Sequence, residues 1–294
     1  MGARNRVRQV AGRLLAVPLV LACLCGCEAT PGTGAPGSPL GSEPAAPATV
    51  GMPLAGDCDA AELGAPDEDP ASILAAAEAA EAAGTAVRMS WYSPDAGVMT
   101  AGSLEDLPAW STSKIPLALA VIASGQGEVY SDAIALALEE SDNDAADTLW
   151  NALGETDAER ADAVTEVLRT AGDATTTVPD VQLIAGFSVF GQTQWATGDQ
   201  VTFLAQLPCL DGADEVIADM GRVDPAQSWG IGALPGATYK GGWGPSPDGG
   251  YLARELGWYT NAAGQRVLVA MAAQDPDGFD AATAVLDQLA AALG

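Results

Sequence analysis

The run from Ile115 to Ala123 is apolar at every position, and it follows directly on the tetrapeptide Ser-Thr-Ser-Lys at 111–114. A helix that is apolar on all sides has to be buried at the centre of a domain. Pro116 is compatible with the first turn of such a helix, and Gly125 can end it. The sequence therefore predicts a central buried helix that begins at Ser111.

Ser111 and Lys114 are candidates for catalysis because of their spacing. Residues three apart lie on one face of a helix, with about 5–6 Å between their Cβ atoms. In the first turn, the positive end of the helix dipole stabilises a serine alkoxide and disfavours a lysine ammonium. We therefore predict that Ser111 is a nucleophile and that Lys114 is the base that activates it.

Composition narrows the possible chemistry. The sequence contains no histidine, which excludes Ser-His-Asp and Cys-His mechanisms and any histidine metal site. Lys114 and Lys240 are the only lysines, and every other cationic side chain is an arginine. A lysine can lose its proton in a protein, whereas an arginine cannot. The alternative is a general preference for arginine that happens to leave two lysines. We expect no metal and no organic cofactor.

Residues 1–27 have the organisation of an export signal. Four arginines precede a short apolar stretch from Leu14 to Leu24. The stretch ends in Leu-Cys-Gly-Cys, which resembles a bacterial lipobox with Cys27 as the lipidated residue. The alternative is an ordinary secretory signal that is cleaved nearby. Either interpretation predicts an exported protein, and the lipobox predicts a lipid anchor on the outer face of the bacterial cytoplasmic membrane.

A flexible tether and one large folded region follow the signal. Residues 28–53 are rich in proline, glycine, alanine and serine and cannot bury enough surface to fold. The folded region is predicted to span 54–294. Its two cysteines, Cys58 and Cys209, are expected to form a disulfide in an oxidising compartment, worth at most about 5 kcal/mol. The alternative is two separate buried thiols.

The chain is strongly acidic, with a formal net charge of −27. Removal of residues 1–26 would remove four arginines and no acids, so −27 − 4 gives −31. Such a polyanion does not bind nucleic acid or anionic lipid head groups through bulk charge. An anionic substrate would need local cations. We expect a monomer that acts on a small molecule or a peptide.

Hydrophobic periodicity and turn residues predict an α/β fold, with an antiparallel sheet flanked by N- and C-terminal helices and an all-α lobe. The α/β lobe is expected at about 70–108 and 222–294, and the helical lobe at about 109–221. Helices are predicted at 70–83, 132–140, 144–150, 157–170, 197–207 and 279–293. The helix at 197–207 is predicted to begin with a capping box formed by residues 197–200. The last helix is predicted to begin at Phe279. Strands are predicted at 85–92, 98–101, 237–242, 251–259 and 265–272. Residues 175–195 are predicted to form a long loop.

Three short motifs occur in order along this fold. They are Ser111-x-x-Lys114, Ser141-Asp142-Asn143 and Lys240-Gly241-Gly242. Together they resemble the signature of class A β-lactamases and penicillin-binding proteins. The resemblance covers residues 70–293 and places the motifs on a helix tip, an interhelical loop and a C-terminal strand. It implies a serine hydrolase of the β-lactamase and D-alanyl-D-alanine peptidase superfamily. Compared with that family, the short stretch between the first two motifs implies a reduced all-α lobe.

The resemblance implies a role for each motif residue. Ser111 would form the acyl-enzyme with Lys114 as its base. Ser141 would relay a proton to the leaving nitrogen, and Asn143 would hold the amide side chain of the substrate. Lys240 would attract the substrate carboxylate and tune Ser141.

The C-terminal strands would complete the site. The backbone N–H groups of Ser111 and Trp243 would form an oxyanion hole. Gly241 and Gly242 would let the backbone approach the ligand closely. Arg254 is a candidate partner for the substrate carboxylate, with a structural ion pair as its alternative.

Each motif also has a structural explanation. Ser141 could cap the helix that follows it. The glycines at 241, 242 and 244 could mark a bulged edge strand. Lys240 could be a solvated surface lysine.

The sequence departs from the family pattern at two places. Gly241 stands where a threonine or serine hydroxyl is usual. The loop at 171–196 lacks the glutamate that activates the deacylating water in class A β-lactamases, and its only carboxylates are Asp173 and Asp180. Rapid β-lactam hydrolysis is therefore not expected.

The sequence predicts a serine hydrolase that acts through an acyl-enzyme on a β-lactam or a peptidoglycan-like peptide. The alternative is a cell-wall binding lipoprotein with weakened chemistry.

Overall fold

A five-stranded antiparallel sheet organises the fold in the computed structural model, which describes residues 62–105, 108–246 and 249–294. The spatial order of the strands is β2-β1-β5-β4-β3. Their bounds are β1 Ala86–Ser93, β2 Gly97–Ala101, β3 Thr238–Pro245, β4 Tyr251–Thr260 and β5 Arg266–Asp275. The predicted α/β class is confirmed, and β3 lies at one edge of the sheet.

Eight helices accompany the sheet among the described residues. Their bounds are α1 Pro70–Ala83, α2 Lys114–Ala123, α3 Gly127–Ala135, α4 Asn143–Ala152, α5 Asp157–Thr170, α6 Thr197–Gln206, α7 Ala213–Met220 and α8 Phe279–Ala291. The terminal helices α1 and α8 pack on one face of the sheet, and α6 packs on the other. The predicted arrangement of flanking helices is therefore confirmed.

The helix α2 is buried as its apolar sequence requires. Eight of its ten residues, including Lys114, are buried. It contacts α3, α4, α5 and α7, which surround it on the side of the sheet away from α1 and α8. Gly125 has a positive φ of 80° and follows the end of the helix as predicted. The helix begins at Lys114, however, because residues 110–113 form a 3₁₀ turn that carries Ser111.

Tertiary contacts override two local predictions. The capping box at 197–200 is wrong: Ala196 is the N-cap of α6, and the Thr197 hydroxyl bonds to Ser90 Oγ at 2.8 Å instead. The helix predicted at 132–140 ends at Ala135 and continues as a π turn, Leu136–Glu140, that leads into Ser141. Helix α7 was not predicted from the sequence.

The N-terminal predictions lie outside the described residues. These are the signal at 1–27, its lipidation residue Cys27, the tether at 28–53 and the cysteine Cys58. Cys209 is disulfide-bonded, so a free buried thiol there is excluded, while its pairing with Cys58 stays a prediction. None of the described helices is long and apolar enough to span a membrane.

Candidate active site

Residues of the first two motifs, and the residue that follows the third, line one cavity of about 290 Å³. Its lining includes four of the residues singled out from the sequence: Ser111, Ser141, Asn143 and Trp243. These residues come from the 3₁₀ turn before α2, the loop before α4, the first turn of α4, and strand β3. Folding therefore brings the predicted nucleophile, the predicted proton relay and the predicted oxyanion strand to the same cavity.

Two strained residues shape this cavity. Trp110 (φ 47°) and Ser141 (φ 59°) are the non-glycine residues with a positive φ in the described part of the chain. Such conformations are costly for side chains other than glycine and tend to be kept at functional sites. The strain at Trp110 falls directly before the hydroxyl of Ser111, and the strain at Ser141 falls where the π turn ends.

Lys114 ties the 3₁₀ turn at 110–113, which carries Ser111, to the Ser-Asp-Asn loop at 141–143. Its Nζ donates to the Ser141 carbonyl at 2.6 Å, to the Asp142 carbonyl at 3.1 Å and to Asn143 Oδ1 at 2.9 Å. Within residues 108–246, no hydrogen bond joins this amine to Ser111 Oγ. Burial lowers the pKa of Lys114 to about 8, against the opposing charges of Asp142 and Asp147. The amine therefore releases its proton near neutral pH more readily than an exposed lysine does.

Lys240 approaches the same loop from the sheet. Its Nζ donates to Ser141 Oγ at 2.8 Å and to the Gly241 carbonyl at 2.9 Å. The side chain is fully buried, which excludes the solvated-lysine alternative. Burial, and then the charge of Lys114, hold its pKa well below the usual value. Lys240 thus contacts the cavity through Ser141, as expected of a residue that tunes Ser141, and does not itself line the cavity.

Ser141 is the point where the two amines converge. Its Oγ lies 2.8 Å from Lys240 Nζ and 3.5 Å from Lys114 Nζ. The capping alternative for Ser141 is wrong, because the side chain of Asp142 caps α4 by accepting from the Ala145 N–H at 2.7 Å. The Ser141 hydroxyl therefore takes no part in capping α4 and faces the two amines instead.

The glycines of β3 allow close packing rather than a bulge. The register of β3 with β4 is continuous, so the bulged-strand alternative is wrong. A Cβ added at Gly242 would lie 2.8 Å from Ser111 N and 2.9 Å from the Ala109 carbonyl oxygen. At Gly241 it would lie 3.1 Å from the ring of Trp229, which occupies the side-chain space of that position. The absence of a side chain at Gly242 thus lets β3 pack directly against the 3₁₀ turn that carries Ser111.

Arg254 supports the 3₁₀ turn at 110–113 from the sheet and does not line the cavity. Its fully buried guanidinium donates to the Pro108 carbonyl at 3.1 Å, to the Trp195 carbonyl at 2.8 Å and to Gln200 Oε1 at 2.7 Å. Gln200 in turn donates to Thr112 Oγ1 at 3.2 Å. The prediction that Arg254 binds a substrate carboxylate is therefore wrong.

Replacing Arg254 with methionine is expected to lower the free energy of unfolding by about 2–4 kcal/mol, because it leaves buried carbonyl groups without their charged donor. Chemical denaturation followed by circular dichroism measures this change. As a control, Arg88→Met removes a half-buried arginine that donates to the Gly102 carbonyl at 3.2 Å. It should cost less than about 1 kcal/mol. Equal losses in the two variants would contradict the supporting role of Arg254.

The remaining walls of the cavity were not predicted from the sequence. They are formed by Trp110, Asp147, Gly186, Phe187, Ser188 and Tyr251. Asp147 follows Asn143 by one turn of α4, and this i, i+4 spacing is the signal that could have found it. The aromatic walls come from segments far apart in the chain, so no local pattern points to them.

The carboxylates of the 171–196 loop do not line the cavity. Asp173 is buried and accepts from Trp195 Nε1 at 2.9 Å and from the Thr176 N–H at 2.9 Å. Asp180 is exposed. Among the described residues, the carboxylate on the cavity wall is that of Asp147. No group of three or more metal-ligating side chains occurs in the described ranges.

Comparison with solved structures identifies the class of fold. A β-lactamase from Sphaerobacter thermophilus aligns with a TM-score of 0.59 and 20% identity, over 76% of this chain and 96% of that chain. A class A β-lactamase from Bacteroides cellulosilyticus gives 0.61 and 16%, over 76% and 96%. The TLA-1 extended-spectrum β-lactamase gives 0.62 and 15%, over 76% and 97%. No family model and no curated protein matches the sequence. The chain has a serine β-lactamase-like fold.

Proposed function

We propose that the protein is a serine acyl-transfer hydrolase that forms an acyl-enzyme at Ser111. One observation carries the proposal: the amines of both lysines in the sequence converge on the hydroxyl of Ser141, at the cavity that Ser111 lines. A buried amine of lowered pKa is the kind of group that accepts a proton from a serine hydroxyl. The substrate class is an activated ester or amide, such as a β-lactam or a peptidoglycan-like peptide.

The acylation step follows from the positions of these groups. The neutral amine of Lys114 takes the proton of Ser111 Oγ while that oxygen bonds to the substrate carbonyl carbon, and the carbonyl π electrons move to its oxygen. For this transfer Lys114 gives up one of its present acceptors in the Ser-Asp-Asn loop. When the tetrahedral intermediate collapses, the bond to the leaving group breaks and Ser141 Oγ supplies the leaving group with a proton. Lys114 lies 3.5 Å from Ser141 Oγ and passes to it the proton taken from Ser111, which makes Lys114 neutral again, while Lys240 holds the Ser141 hydroxyl in place by its hydrogen bond.

A binding role with weakened chemistry is the second candidate. Two observations favour it: the ring of Trp229 fills the side-chain space at Gly241, and Lys114 donates to acceptors other than Ser111.

In either role we propose an exported monomer anchored through a lipid on Cys27. Intact mass of the membrane-extracted protein, before and after lipase treatment, tests the anchor.

Covalent labelling separates the two candidates. The purified full-length protein is incubated with a fluorescent penicillin and, separately, with a neutral p-nitrophenyl ester, and the adducts are located by peptide mass mapping. The enzyme proposal expects an acyl group on Ser111 that persists for minutes, because the loop at 171–196 contributes no carboxylate to the cavity. Folded protein that takes up neither probe would favour the binding role. Release of the acyl group within seconds would contradict slow deacylation.

The rate of acylation is expected to rise with pH. Only the neutral amine of Lys114 accepts a proton, and a pKa of about 8 leaves about 1% of it neutral at pH 6 and about 10% at pH 7. The pseudo-first-order rate of ester acylation should therefore increase about tenfold per pH unit up to pH 7 and level off above pH 8. Stopped-flow absorbance at 400 nm measures this rate, with the uncatalysed ester hydrolysis subtracted at each pH. A flat profile from pH 6 to 9 would exclude Lys114 as the base.

A further inference from the structure

The cavity beside Ser111 carries a negative side chain and no positive one. Of its lining residues, Asp147 is the one with a carboxylate, and none is a lysine or an arginine. Asp147 is exposed on α4, one helical turn after Asn143, which lines the same cavity. An anionic substrate group would therefore meet a carboxylate of its own sign.

The cations of the described residues do not line the cavity and so do not reverse this charge there. Lys114 and Lys240 are buried and donate to the 141–143 loop and to Gly241. After residue 13 the sequence contains six other cations: Arg88, Arg160, Arg169, Arg222, Arg254 and Arg266. None of the six lines the cavity. The hydroxyl that could hold a carboxylate on β3 is also missing, because residue 241 is glycine.

Four aromatic rings complete the walls: Trp110, Phe187, Trp243 and Tyr251. Trp110 and Phe187 pack edge to face with centroids 5.1 Å apart. Phe279 supports the other two rings, at 5.6 Å from Trp243 and 5.9 Å from Tyr251. The faces of such rings attract organic cations, and mutual packing keeps them in place before a ligand arrives.

We propose that this cavity recognises acyl donors that carry an ammonium group, held between Asp147 and the aromatic walls, and that it disfavours donors with a carboxylate. The inference rests on the proposed acyl transfer at Ser111 and names the substrate class for that reaction. Electrostatics agree with the geometry. Partial desolvation, and then the charge of Asp144, raise the pKa of Asp147 against the opposing charge of Lys114, so a bound cation would further stabilise its anion.

Three p-nitrophenyl esters of matched shape test the inference on the full-length protein. They are the 4-(trimethylammonio)butyrate, its uncharged carbon isostere the 5,5-dimethylhexanoate, and the anionic glutarate half-ester. The second-order rate constant of acylation should be about tenfold higher for the cationic ester than for the neutral one. It should be at least about tenfold lower for the anionic ester.

Asp147→Asn should remove this discrimination, bringing the cationic-to-neutral ratio to within about twofold of one. Asp162→Asn, which removes an exposed carboxylate on α5, is the matched control and should leave the ratio unchanged. Because each ratio is taken within one variant, a general loss of activity cancels. Equal rates for the cationic and neutral esters, or equal losses for all three in Asp147→Asn, would overturn the inference while the proposed function stands. Failure of every ester to acylate Ser111 would overturn the proposed function and the inference with it.

Discussion

Ser111→Ala is expected to abolish covalent labelling by both the fluorescent penicillin and the neutral ester. The acyl-enzyme bond needs an oxygen nucleophile at this position, and alanine offers none. The fold should be retained, because Ser111 is only partly buried and its hydroxyl lines the cavity. The free energy of unfolding should therefore change by no more than about 0.5 kcal/mol. In-gel fluorescence and intact mass measure the labelling, and chemical denaturation measures the stability.

Ser188→Ala is the matched control for this variant. Ser188 lines the same cavity, so its removal changes the wall by one hydroxyl but leaves the nucleophile in place. Labelling should continue in Ser188→Ala at a rate within a few-fold of the parent protein. A Ser111→Ala protein that is still acylated, for example on Ser141, would show that the nucleophile has been assigned to the wrong residue.

The fold was predictable where local chemistry determines an element. The bounds of α1 and α5 match the predicted ones because both ends of each helix are defined nearby. Asp69 caps α1 and Gly84 ends it, while Thr156 and Glu159 form a capping box at the start of α5. The turn between β4 and β5 is also determined by local sequence, because it contains Gly264 at a positive φ of 80°.

Other elements depend on partners that are distant in sequence. At the start of α6, the polar side chains of Thr197 and Gln200 suggested a capping box, but they bond to Ser90 and Arg254 instead. The π turn that strains Ser141 likewise has no local signature. A hydrogen bond to a residue far along the chain outweighs a capping preference of about 1 kcal/mol when the group is buried.

The candidate site was predictable as a set of residues but not as a charge distribution. Motif spacing identified Ser111, Ser141 and Lys240, and folding brings them together. The family resemblance implied that Lys240 attracts a substrate carboxylate, and Arg254 was a candidate for the same role with a structural ion pair as its alternative, but charged residues that are fully buried, as these two are, do not line a cavity. Their burial removes two cations from the cavity. The cavity that results differs electrostatically from the one that the motifs alone imply.

Gly242→Ala is the second substitution that is expected to have a large effect, because β3 packs closely against the 3₁₀ turn that carries Ser111. An added Cβ would lie 2.8 Å from Ser111 N and 2.9 Å from both Thr112 N and the Ala109 carbonyl oxygen. All three are backbone atoms, so the strand or the turn has to move. Overpacking of this kind costs about 1–3 kcal/mol of stability. Because the turn carries the nucleophile, and a displacement of 1 Å can cost about 100-fold in rate, acylation of Ser111 should fall at least that far.

Gly198→Ala provides the comparison that isolates this contact. Gly198 lies in α6, and the nearest atoms to its added Cβ would be Val98 Cγ1 at 3.8 Å and Ser90 Oγ at 4.0 Å. There the methyl group fits, and the substitution should stabilise the helix by about 0.5–1 kcal/mol without slowing acylation. Thermal unfolding and the stopped-flow ester assay report both quantities for the two variants. If Gly242→Ala acylates as fast as Gly198→Ala, the backbone contact at β3 does not position Ser111. The strand would then serve the cavity only as a wall.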